Sequence, residues 1–211
     1  MPHLLFIDSA GNEIDRIIGF IPPSEYLLRI TDIANKRNTL NDYLSRYEKG
    51  EINGDIIAGI ATKYEDREEN DKAAKFYSIL INEYPDPTSE YYKHGKFFLA
   101  SSEFQSGNEH ALKEYVLNNP NSPFHFDAYR KMVYHYADTE QTEKELVAYR
   151  EMLTIFPDHP SALNSYAWRM AEIEINLEDA LMKVRHAVVL TANDPDRQAG
   201  IIDTEAEVLW K

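Results

Sequence analysis

The residues that decide the fold are Ile57-Ala58-Gly59-Ile60-Ala61-Thr62-Lys63-Tyr64 and, after the charged run Glu65-Asp66-Arg67-Glu68-Glu69, Ala73-Ala74-Lys75-Phe76-Tyr77, closed by Pro85. Apolar residues three and four apart mark one face of a helix in each half. On those faces large residues at 57, 60 and 64 stand beside small ones at 61 and 73. Small residues let two helices approach closely, while large ones fill the groove formed with a neighbouring pair. Ala61 and Ala73 are therefore expected in the core, and the charged run is expected as a solvated turn.

The same arrangement recurs outward from this pair. Pro85, Pro120, Pro157 and Pro195 follow one another at spacings of 35, 37 and 38 residues, each read as closing a helix pair. Residues 126–159 carry Tyr129, Met132, Val133, Tyr136, Tyr149 and Pro157, but Glu145 stands where a small residue is expected, which predicts a looser contact. Residues 160–197 carry Leu163, Tyr166, Ala167 and Met170, then Ala180, Val184 and Ala187, with one inserted residue between the helices. Residues 88–122 form a degenerate copy through Phe97, Ala100, Ser101, Phe104, Ala111 and Tyr115, with a clipped second helix. A terminal helix at 198–211 restarts the pattern with Ile202, Ala206 and Leu209, although Glu205 occupies a normally apolar position.

Periodicity and punctuation predict helices near 24–35, 40–48, 55–66, 70–83, 88–104, 108–118, 124–137, 142–155, 160–173, 177–190 and 198–210. Thr39 with Asp42, and Asn176 with Asp179, have the spacing of capping pairs. Pro87 and Pro160 suit the first turn of a helix, where a missing N–H costs nothing.

Residues 54–211, about three quarters of the chain, resemble a tetratricopeptide repeat array. The stretch from Ala162 to Trp168, with Asp203-Thr204-Glu205-Ala206-Glu207-Val208-Leu209, is similar to the C-terminal units of bacterial members. The resemblance implies a right-handed superhelix of helical hairpins whose concave groove binds a peptide or partner protein. The expected fold is thus mainly α, a tetratricopeptide-like helical-hairpin solenoid over 37–211 preceded by a short β-hairpin and helix over 1–36.

Composition bounds the function. The chain has 211 residues, a net charge of −14, no cysteine and only 8 glycines. The acidic balance argues against a phosphate-backbone footprint, so no nucleic-acid partner is expected. No run is long and apolar enough to span a membrane, so no membrane partner is expected either. The N-terminus lacks a secretory signal, which reads as a soluble chain, cytoplasmic as written or periplasmic if it belongs to a longer protein. Without thiols, disulfides, thiolate metal sites and cysteine nucleophiles are excluded. The seven histidines, His3, His94, His110, His125, His135, His159 and His186, show no metalloprotease spacing. Neither a phosphate-cradling glycine loop nor a nucleophile elbow is present. No cofactor, metal or catalytic residue is expected, and the chain reads as non-enzymatic.

The N-terminal segment differs from the repeats. Leu4-Leu5-Phe6-Ile7, a turn at Asp8-Ser9-Ala10-Gly11-Asn12, and Ile14 to Phe20 predict a β-hairpin, and Pro22-Pro23-Ser24-Glu25 opens a helix. This stretch is similar to the last two strands and final helix of the thioredoxin fold, and Pro2 matches the position of that fold's cis-proline. The resemblance implies a fragment or internal start of a larger thioredoxin-like redox protein whose catalytic half lies elsewhere. An ordinary hairpin capping the repeats is the other reading. A lone hairpin is marginal and leaves strand edges open. It is expected either to pack on the first repeat helices or to pair with its copy in a homodimer.

For binding, the positions that face the concave side in the tetratricopeptide family fall at Arg130 and Tyr134 in one unit and Asn164 and Trp168 in the next. Arginine and aromatic side chains there suit peptide recognition, and inter-repeat packing of Tyr134 and Trp168 is the competing role. The first unit has Ala58 and Thr62 at these places and lacks the basic and asparagine set of the carboxylate-clamp subclass.

Overall fold

The computed structural model describes residues 3–211, which divide into a unit ending at Phe124 and a unit His125–Lys211. In the first unit the strands β1 (His3–Ile7) and β2 (Glu13–Ile18) pair antiparallel, Leu4 facing Ile17 and Phe6 facing Asp15, with an irregularity between Phe6 and Ile7. Asp8 closes the turn by accepting from the amides of Ala10 and Asn12 at 2.8 and 2.9 Å, and Gly11 supplies a φ of +86°. Pro2 lies outside the described residues.

Six helices follow: α1 (Pro23–Ala34), α2 (Leu40–Glu48), α3 (Gly54–Asp66), α4 (Asn70–Glu83), α5 (Glu90–Gln105) and α6 (Ala111–Asn118). Thr39 caps α2 and Asn53 caps α3, accepting from the amides of Asp42 and Ile56. Ile57, Ile60, Ala61, Ala73 and Tyr77 are fully buried, as the size alternation requires. Gly95 admits the closest approach: a Cβ there would stand 2.8 Å from Tyr77 Cδ1, so α5 can lie against that ring only without a side chain. Pro87 departs from expectation. It precedes Ser89, which caps α5, and the turn before the helix is held by Asp86, which accepts from the Thr88 amide at 3.0 Å.

The hairpin is seated on α3, the first of its two expected placements. Asp15 is fully buried and accepts from Lys63 Nζ, with Arg29 Nη2 at 3.4 Å and Arg67 Nη2 at 3.7 Å. Glu13 pairs with Arg67 at 3.0 Å, and Arg16 donates to the Asp66 carbonyl at 3.2 Å. The charged run 65–69 is thus not a solvated turn. Glu65 accepts from Tyr77 Oη at 2.6 Å and contacts His94 Nε2 at 2.8 Å, and burial raises the Asp66 carboxyl above its usual range. Only at Glu68, with a left-handed φ of 59°, does the run turn outward. Its neighbours are half-buried because the hairpin, α4 and α5 converge there.

The second unit contains α7 (His125–Asp138), α8 (Thr142–Ile155), α9 (Pro160–Ile173), α10 (Leu177–Leu190) and α11 (Pro195–Trp210). Met132, Val133, Ala167, Met170, Ala180, Val184 and Ala187 form its fully buried interior. Two local expectations fail at its end. Asn176 adopts a left-handed φ of 50° and makes no cap, sending its amide to Met170 Sδ at 3.8 Å. Pro195 opens α11 rather than closing the preceding pair, since the Asp194 side chain accepts from the Arg197 amide and caps the helix. The inward face of α11 is consequently Ile201, Thr204 and Val208, while Ile202, Ala206 and Leu209 are exposed. Among the described residues, no helix is long and apolar enough to cross a membrane.

Candidate functional site

The first helices of the second unit, α7, α9 and α11, border a cleft of about 790 Å3 whose long wall is α9. Helical spacing puts Ser161, Asn164, Ser165, Trp168, Arg169 and Glu172 on one stripe of that helix, all facing the opening. Tyr134, Ala137 and Asp138 enter from the last turns of α7, Glu145 and Tyr149 from α8, and Arg197, Gly200 and Ile201 from α11.

Three of the four residues expected from sequence therefore meet here: Tyr134, Asn164 and Trp168. Tyr134 is 52% exposed and Trp168 40%, so neither ring is consumed by packing between repeats. Trp168 Nε1 donates to Glu172 Oε1 at 2.9 Å, which fixes the indole beside a carboxylate. Asn164 Oδ1 is buried without a hydrogen-bond partner. Arg130 is not on the cleft wall; its guanidinium is held 2.9 Å from Asp127 on its own helix.

The floor is an ion pair that sequence reasoning missed. Glu145, fully buried at the small-residue position of its unit, accepts from Arg169 Nε at 2.7 Å and Nη2 at 3.2 Å. Arg169 Nη1 also donates to Glu172 at 3.2 Å. These carboxylates, Glu145 first, raise the Arg169 pKa further. Tyr149 donates to Ser165, and burial pushes its phenol up to about 12, so it acts as a neutral donor. The signal was the broken rule itself: a glutamate where Ala is expected needs a buried cation, and Arg169 lies on the facing helix.

Among the described residues no group of three or more His, Asp or Glu is placed to hold a metal ion. The arrangement of exposed aromatics, neutral amide and hydroxyl groups and fixed charges is suited to non-covalent recognition.

The class of structure is clear at this point: stacked helical hairpins of tetratricopeptide type, preceded by a β-hairpin and helix. No family model matches the sequence, and no curated protein matches it. Among solved structures, the crystal structure of MamA, a tetratricopeptide-like helical protein, is similar with a TM-score of 0.55 at 16% identity, covering 84% of this chain and 99% of that one. At that identity the likeness is one of fold.

Proposed function

We propose that the chain is a non-enzymatic interaction scaffold that binds an extended peptide segment of a partner protein in the α7–α9–α11 cleft. The observation that carries this reading is the pair of exposed aromatic rings, Tyr134 and Trp168, lining one polar cleft. Large rings with a polar edge are the side chains that most often anchor an interface. Peptides selected from a displayed random library on the immobilised chain should quench Trp168 fluorescence in a Trp210→Phe background. Trp168→Ala should weaken them by about thirtyfold, the size of an anchor residue, while Arg130→Ala leaves them unchanged. Equal binding by a folded Trp168→Ala variant would remove the cleft from the reading.

The N-terminal hairpin supports a second contact. β1 is exposed along Leu4, Leu5 and Ile7, and Phe20 is 95% exposed, so an apolar strand edge is open to a partner. His3–Ile7 contains no acidic or lysine side chain to repel its own copy, and on that ground we propose a homodimer formed by edge pairing of β1. Light scattering should give twice the 24.4 kDa chain mass, and Leu5→Lys should return the monomer. A strict monomer at tens of micromolar, about the concentration for a working dimer, argues instead for the remainder of a thioredoxin-like sheet on that edge. A Trp-Cys-x-x-Cys segment encoded upstream of Met1 would then identify the chain as the recognition portion of a redox protein.

A further inference from the structure

The cleft is electrically polarised along α9, and the polarity names the ligand more closely than its shape does. At the N-terminal end of that helix Arg197 Nη2 donates to Ser161 Oγ at 2.8 Å and has no carboxylate partner among the described residues. At the other end stand Glu172 and, from the last turn of α7, Asp138, which is exposed and likewise unpaired. The placement of α7 follows from the floor: Glu145, in the first turn of α8 and so close to where α7 ends, holds Arg169 in the C-terminal half of α9. Three carboxylates, Asp138, Glu145 and Glu172, line the cleft there with one guanidinium, Arg169, which pairs with Glu145 and Glu172. It retains negative charge beside two rings. The aromatic and acid positions repeat, since Tyr134 with Asp138 and Trp168 with Glu172 are each one helical turn apart.

Resting on the peptide-binding reading above, we propose that the cleft selects an extended segment carrying an Asp or Glu at the Arg197 end and an Arg or Lys at the Tyr134–Trp168 end. A cation seated there gains from both ring faces and the adjacent carboxylates, while a carboxylate at Arg197 gains a charge-assisted bond. Eleven residues of helix separate Ser161 from Glu172, about 16 Å at 1.5 Å per residue, which an extended chain spans in about five residues. The ligand signature is therefore an acidic and a basic residue about five positions apart, in either chain direction. Asn164 lies on the same stripe about one turn from Ser161, and its unpartnered buried oxygen marks a polar group that the fold itself leaves unsatisfied.

Selection from a fixed-length displayed library, with blocked peptide termini, tests this. Enriched sequences should carry the acid–base pair at that spacing, and alanine at either charged position should weaken binding about tenfold at low salt. Arg197→Glu should convert the acidic preference into a basic one, and Asp138→Lys should convert the basic preference into an acidic one. Peptides that depend on Trp168 but carry no charge signature would overturn this inference and leave the proposed function standing. Failure of any peptide to bind the folded wild-type chain would overturn both.

Discussion

Arg169→Leu should destabilise the unit His125–Lys211 by about 3–5 kcal/mol, the cost of leaving a buried charge without its partner. Both tryptophans of the chain, Trp168 and Trp210, lie in this unit, so their fluorescence in urea reports its unfolding, as a lower midpoint at unchanged slope. Glu145→Ala should cost far less, about 1 kcal/mol or below. The asymmetry has two causes. Glu145 is fully buried whereas Arg169 is partly exposed and keeps Glu172, so removing the acid strands no charge. Alanine at 145 also restores the small residue that the repeat pattern places there. Equal losses in the two variants would show that Glu145 is accommodated without Arg169.

Asp15→Ala should release the hairpin from α3 with a loss of about 3–5 kcal/mol, read as exchange of the β1 and β2 amides about 100- to 4000-fold faster. Lys63 would then be the buried group left without its acceptor. Burial already holds its pKa below the usual 10.5, and the Asp15 contacts are what oppose that shift; Arg29 adds to it and Asp66 counters it. In the variant the folded Lys63 therefore loses its proton at a lower pH than the unfolded chain does. Between those two values the unfolded state binds more protons, and stability rises with pH. The variant should recover hairpin protection as pH climbs towards 10.5, more steeply than the wild type. A variant with no such recovery would show that Lys63 has found water or another acceptor.

These two expectations rest on residues whose roles were illegible one at a time. Thr39, Pro160, Ala61, Ala73 and the clipped α6 were readable because each answers to partners within a few residues or to the adjacent helix. Asn176 and Pro195 were misread although they are local, because a cap and a terminator share residue types and only backbone dihedrals separate them. The register of α11 slipped for a different reason. Its pattern residues Ile202, Ala206 and Leu209 mark a real apolar face, but periodicity identifies a face and not the element that covers it.

The candidate site divides in the same way. Tyr134, Asn164 and Trp168 were expected on the groove from the positions that face it in the tetratricopeptide family, and all three line the cleft. Arg130 obeyed the same spacing and was turned away by Asp127, one helical turn earlier. What the sequence by itself determined is the stack of helical hairpins, because each helix buries against its neighbours an apolar face whose residues recur three and four apart. Only the tertiary structure decided where the charges go: Glu145 meets Arg169 from 24 residues away and Asp15 meets Lys63 from 48. The energy of a buried charge depends on which distant group enters the same low-dielectric space, and no local pattern records that.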